Sequence, residues 1–94
     1  MQHTTILTFD IGTTGLKCSL FDSSCTEIAS AVAGYPTALP QPGWAEQHPA
    51  DYWDAAVRAC RQLFSGGAAD PRGVAVIGFS GQMNGCLAVD AAGV

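Results

Sequence analysis

Positive charge is scarce in this sequence. Lys17, Arg58, Arg61 and Arg72 are its only lysine and arginine side chains, set against eight acidic ones, and the net charge is −4. No basic stripe is available for a phosphodiester backbone, which speaks against nucleic acid as a partner. Long apolar runs are missing too, since none approaches the ~18 residues of a membrane span. The opening Met1-Gln2-His3-Thr4-Thr5 lacks the cationic segment of a secretory signal. Cys18, Cys25, Cys60 and Cys86 are scattered with no Cys-x-x-Cys pair, so neither a zinc site nor a dense disulfide framework is expected. Reduced thiols and a cytoplasmic location are the default for such a chain. Charged residues make up 13% of the 94, against ~25% in a typical globular domain. With 48% hydrophobic residues, a chain this short supports one thin core but not two lobes around a cleft. That combination points to a piece of something larger.

What is present reads as a run of short elements. Thr4 to Phe9 is rich in β-branched and aromatic residues and predicts a strand ending at Asp10. Ile11-Gly12-Thr13-Thr14-Gly15 is a turn signal, its two glycines permitting unusual backbone angles. Leu16 to Asp22 resumes a strand, with Leu16, Cys18 and Leu20 on one face. Asp22-Ser23-Ser24-Cys25 makes a second turn, and Glu27 to Ala33 a third antiparallel strand. After a proline-punctuated loop from Pro36 to Gly43, a helix opens at Pro49, where a missing N–H costs nothing, and ends at Gly66-Gly67. Trp53, Val57, Cys60 and Phe64 predict its buried stripe. Val74 to Phe79 reads as a strand buried on both faces. Cys86 to Val89 predicts a further strand, Asp90 to Gly93 a turn, and Val94 the start of a returning strand, the pattern of an N-terminal fragment.

The stretch Asp10-Ile11-Gly12-Thr13-Thr14-Gly15-Leu16-Lys17 carries the most chemistry. A glycine-rich turn can point several N–H groups into one concavity that receives an anion. Thr13 and Thr14 add hydroxyls, Lys17 is the only lysine, and Asp10 at a strand end can hold a hydrated divalent cation. These are the parts phosphoryl transfer needs. The turn joins strand to strand, unlike the familiar nucleotide loops that run from a strand into a helix. An ordinary tight hairpin, with Asp10 and Thr13 satisfying local backbone groups, is the alternative reading of the same residues.

This stretch resembles the first phosphate motif of the superfamily that joins sugar kinases and actin. Pro42-Gly43-Trp44-Ala45-Glu46-Gln47-His48-Pro49 resembles the loop that enters the first helix of FGGY carbohydrate kinases. Ile77-Gly78-Phe79-Ser80-Gly81-Gln82-Met83-Asn84-Gly85 is similar to the Ser-Gly-Gln-Met-His-Gly segment of xylulokinases. The resemblance implies an α/β fold, the N-terminal part of an actin-like (ribonuclease H-like) ATPase domain: three meandering strands, then a helix and further strands. Residues 1–94 would be part of the N-terminal, sugar-binding domain, with the rest of that domain and the C-terminal domain absent. It implies ATP and Mg2+ as cofactors and a small sugar, a ketose such as xylulose, as acceptor of the γ-phosphoryl group. It leaves a homodimer of the parent open.

By the same resemblance Asp10 lies near the magnesium and the transferred phosphate, binding the metal through water, and Gly12, Thr13, Thr14 and Lys17 line the phosphate turn. Gln82, Met83 and Asn84 fall in the sugar-binding segment. Asn84 stands where xylulokinases have histidine; it can still hydrogen-bond a hydroxyl but cannot change charge near neutral pH. The family's general base, an aspartate, lies downstream of this chain, so the fragment alone is expected to be inactive. A non-catalytic actin-like protein that grips nucleotide or sugar is the rival reading, and a free-standing β-rich interaction module a third. Trp44 and Glu46 read as structural, Trp44 covering the helix and Glu46 bonding local N–H groups. His48 reads as a weak helix cap, Cys18 as an inert buried thiol, and Arg58, Arg61 and Arg72 as solvated charges.

Overall fold

The computed structural model describes residues 4–82 and 85–94. Three antiparallel strands come first: β1 (Thr5–Ile11), β2 (Gly15–Asp22) and β3 (Glu27–Gly34). A helix, α1 (Pro49–Ser65), and a single 3-10 turn (Pro71–Gly73) lead to β4 (Val74–Gly81). The sheet order is β3-β2-β1-β4, with β4 parallel to β1. A parallel neighbour needs a crossover, and α1 supplies it, packing against β2 and β3. No helix among the described residues is long and apolar enough to cross a membrane.

The strand alternation expected for β2 holds. Leu16, Cys18 and Leu20 are buried on one face, opposite Ile11, Phe9 and Leu7 of β1 and Ala33, Ala31 and Ala29 of β3. The helix lays Ala55, Ala59 and Leu63 on that face, and Tyr35, just past β3, closes one end. The expected stripe of Trp53, Val57, Cys60 and Phe64 is therefore displaced. Trp53 is 75% exposed, whereas Cys60 and Phe64 flank the core. Small side chains line the contact because an alanine face lets the helix backbone come close to the sheet, and a tryptophan there would hold it off. Against the sheet, Cys18 Sγ lies 3.9 Å from Cys60 Sγ, and burial first, with Cys60 second, pushes the Cys18 thiol up to about 12.

The helix ends follow local chemistry. His48 Nδ1 accepts from the Ala50 N–H at 3.1 Å, satisfying a first-turn donor. At the other end Gly67 has φ +73° and donates its N–H to Phe64 O at 3.1 Å, a left-handed stop that favours glycine. Arg58, read from sequence as a solvated charge, pairs with Asp54 at 3.0 Å and donates to the Gly34 carbonyl at 2.8 Å, tying α1 to the end of β3.

Two expectations for the last third of the chain are corrected. β4 is a strand and runs to Gly81, but it is not buried on both faces: Val76, Ile77 and Phe79 are 56, 51 and 73% exposed. Its second ladder edge and one face meet no other described element, although Phe79 stacks on Phe9 at 5.7 Å. Cys86 to Val89 forms no strand here, and among the described residues no segment pairs with it. The turn after it does form, with Asp90 Oδ1 accepting from the N–H groups of Ala92 and Val94.

Candidate functional site

Parallel pairing puts the ends of β1 and β4 side by side: Asp10 is in register with Ser80 and Ile11 with Gly81. The glycine turn after β1 and Gln82 after β4 therefore share one end of the sheet. Asp10 faces away from α1 and is exposed, and among the described residues its carboxylate has neither a hydrogen bond nor an ion pair. Lys17 is its register partner on β2. The Lys17 ammonium lies 3.8 Å from Glu27 Oε1, a carboxylate at the far end of the β2–β3 ladder from the turn.

The turn itself is a three-residue connection, Gly12-Thr13-Thr14, closed by Gly12 N–H donating to Gly15 O at 2.9 Å. Its glycines do not serve by positive φ, contrary to the turn signal's usual meaning. They serve by close approach. A Cβ on Gly15 would stand 2.7 Å from Ala33 O and 3.0 Å from Gly34 Cα, and one on Gly12 would stand 3.0 Å from Gly15 O. Gly12 N–H is committed to closing the turn, but the N–H groups of Thr13 and Thr14 have no partner among the described residues, and both threonines are exposed. Two free amides beside an unpaired carboxylate are a donor set that fits a phosphate and a hydrated cation.

Around the turn the structure assembles a polar cluster that sequence reasoning missed. Tyr35 OH donates to the Gly12 carbonyl. Gln47 Nε2 donates to the Thr13 carbonyl at 2.6 Å and to Thr37 Oγ1 at 2.9 Å. Gln47 Oε1 accepts from Tyr52 OH at 2.5 Å and from Gln82 Nε2 at 3.3 Å, and Gln82 Nε2 also lies 3.2 Å from Tyr52 OH. The Tyr35 and Tyr52 rings meet edge to face at 4.8 Å. Burial, then Tyr52, then the Asp10 carboxylate raise the Tyr35 phenol above its ordinary value. The only signal that could have found Gln47 is its place in the Pro42–Pro49 loop segment.

The other expected positions divide. Gln82 joins the cluster, whereas Met83 and Asn84 lie outside the described residues. Trp44 is 53% exposed, lines a concavity of its own loop with Leu39, Pro40 and Pro42, and is not among the hydrophobic side chains packed against the core to which α1 contributes. Glu46 bonds through its backbone, exchanging N–H and carbonyl with Ala38, and among the described residues its carboxylate has no hydrogen-bond partner. The loop from Pro36 is thus pinned as a short bridge whose far end delivers Gln47 to the turn.

Residues 5–93 match the FGGY family of carbohydrate kinases, N-terminal domain. Glycerol kinase of Gloeobacter violaceus is 37% identical over 87 residues, a match taking in 93% of this chain and 17% of that protein. A xyloylose kinase from Brucella ovis superposes with a TM-score of 0.91 at 32% identity, covering 96% of this chain and 19% of that one. A xylulose kinase from Rhodospirillum rubrum gives 0.81 at 28% identity, covering 96% and 18%. The chain thus spans less than a fifth of the length of these relatives. Their names divide between a polyol and a ketose, so the xylulokinase likeness of the Ser80–Gly85 segment does not extend to a particular sugar. The actin-like α/β fold expected from the sequence agrees with these superpositions, and the chain belongs to the FGGY family of carbohydrate kinases.

Proposed function

We propose that this chain is the opening part of the N-terminal, sugar-binding domain of a cytoplasmic ATP-dependent kinase. The whole protein moves the γ-phosphoryl group of ATP onto a hydroxyl of a small ketose or polyol, xylulose being the ketose favoured by the Ser80–Gly85 segment. The observation that supports it best is the juxtaposition of two unpartnered amides, Thr13 and Thr14, with the unpaired Asp10 carboxylate at the end of β1. The amides and threonine hydroxyls would receive phosphate oxygens, and Asp10 would hold a hydrated cation through its waters. When bound, that Mg2+ supplies charge neutralisation between phosphates. Lys17 joins the phosphate by leaving Glu27, an exposed pair that holds it only weakly.

On the sugar side, Gln82, Met83 and Asn84 contact hydroxyls of the acceptor. The carboxylate that takes the acceptor's proton, and the domain that grips adenine, belong to parts of the protein outside these residues, so the 94 residues alone transfer nothing. Closure of the complete cleft excludes water as a competing acceptor.

The test is ATP consumption by the full-length protein against a panel of ketoses and polyols, with Asp10→Ala alongside. Asp10→Ala should lower kcat by about a hundredfold or more while leaving the sugar's binding nearly unchanged. Tight sugar or nucleotide binding with no turnover on any acceptor would instead support the non-catalytic reading. Near-normal turnover in Asp10→Ala would remove Asp10 from the phosphate site.

A further inference from the structure

We propose that Tyr35 and Gln47 are positioning residues for phosphoryl transfer, holding successive turn carbonyls so that the Thr13 and Thr14 amides face outward, and that Gln47 couples this turn to the segment after β4. The inference rests on the functional reading above and adds to it the residues that set the turn's polarity.

The argument starts from the peptide plane. In a trans peptide the carbonyl of one residue and the N–H of the next point in opposite directions. No cis peptide is present among the described residues. Gly12 C=O and Thr13 N–H share one plane, and Thr13 C=O and Thr14 N–H share the next. Tyr35 OH engages the first carbonyl and Gln47 Nε2 the second. A third, Thr14 C=O, accepts from the Tyr35 N–H at 3.3 Å. Each carbonyl drawn inward turns the following amide outward. The two amides left without partners are those of the two planes clamped by side chains. A three-residue turn held only by its own backbone bond could flip either plane; this one is braced from below at both.

Gln47 is suited to the task because its amide is saturated. Its two N–H bonds go to Thr13 O and Thr37 Oγ1, and its oxygen receives Tyr52 OH and Gln82 Nε2. The Thr13 carbonyl can only accept, which fixes which end of the carboxamide faces the turn. One side chain therefore spans the phosphate turn, the start of α1 and the residue that precedes Met83 and Asn84. A glutamate of the same shape keeps the acceptor side and loses the donor side, placing a carboxylate oxygen against a carbonyl.

The experiment uses the full-length kinase, with Tyr35→Phe and Gln47→Glu, each checked for an unchanged fold by circular dichroism. Tyr35→Phe retains the ring and its contact with Tyr52, so it separates loss of the hydroxyl from loss of packing. The first readout is kinetic: kcat should fall about ten- to a hundredfold in each variant, with KM for the sugar within about twofold of wild type. The second needs no turnover. In 15N-threonine-labelled protein, the Thr13 and Thr14 amide signals should shift on titration with magnesium and inorganic tripolyphosphate, and both variants should need about tenfold more of it. Wild-type kcat and a wild-type titration in either folded variant would overturn the inference, as would a loss confined to melting temperature. A wild-type protein that transfers phosphate to no acceptor would bring down the functional reading first and this inference with it. An active wild type with indifferent variants would sink this inference alone.

Discussion

Replacing Gly15 by alanine tests whether the turn owes its place to contact with β3. Two glycines, Gly15 and Gly34, face each other in the β2–β3 register, yet a methyl group meets different surroundings at each. On Gly15 it would press to 2.7 Å from Ala33 O and 3.0 Å from Gly34 Cα, both backbone atoms that cannot swing aside. On Gly34 its nearest neighbour would be Thr14 O at 3.6 Å, an ordinary contact. Overpacking against backbone costs about 1–3 kcal/mol. The reduced freedom of the unfolded chain returns about 0.4–1 kcal/mol at either position. Gly15→Ala should therefore be destabilised by about 1–2 kcal/mol, and Gly34→Ala should be neutral or slightly stabilised. Urea titrations of the two variants side by side, read by far-ultraviolet circular dichroism, give the difference directly. Amide exchange should also quicken at Tyr35, whose N–H spans to Thr14 O at 3.3 Å. Equal stability of the two variants would refute the close-approach argument and return Gly15 to the role of an ordinary turn residue.

Two further outcomes concern the opposite end of the hairpins. Cys25 holds φ +65°, and its N–H closes on Asp22 O at 3.0 Å. Cys25→Gly should raise stability by roughly 0.5–1 kcal/mol, since a side chain is disfavoured in that region, and a lower melting temperature would count against it. The same turn is capped by Asp22, whose carboxylate accepts from Thr26 N–H, Ser24 N–H and Ser24 Oγ, and these bonds, Thr26 first, lower its pKa. In the acid window the unfolded chain binds the proton more readily, so the turn's contribution is complete above the ordinary aspartate range and fades as pH falls through the lowered value. The gap in melting temperature between wild type and Asp22→Ala should close on acidification. A gap that stays constant from neutral pH to below that range would contradict the cap.

The hairpins and the helix limits were legible because their signals are local. Alternation at Leu16, Cys18 and Leu20 and the punctuation at His48-Pro49 and Gly66-Gly67 need no knowledge of distant residues. The helix face was misread because bulk drew attention to Trp53 and Val57, while Ala55 and Ala59 make the close contact. Apolarity of Val74–Phe79 reported a strand but not its cover, and the apolar run Cys86–Val89 pairs with no segment among the described residues. At the site, Asp10 and the turn stood out by spacing. Gln47 and Tyr35 did not, because their partners are backbone carbonyls 34 and 23 residues away, and nothing in a glutamine or tyrosine announces such a reach.

β1 is bound by hydrogen-bonded ladders on both sides, antiparallel to β2 and parallel to β4, and at the level of Asp10 it is gripped by Lys17 on one edge and Ser80 on the other. Prising that level open means tearing two seams at once. The carboxylate is thereby mounted on one of the two strands laddered along both edges, while the collar of threonines beginning three residues later lies outside any ladder and is held by its own backbone closure, the Tyr35 N–H and the side chains of Tyr35 and Gln47. On the function proposed above, phosphates arriving at such a junction would meet a charge and a collar both set beforehand, the one by ladders and the other by props beneath its carbonyls.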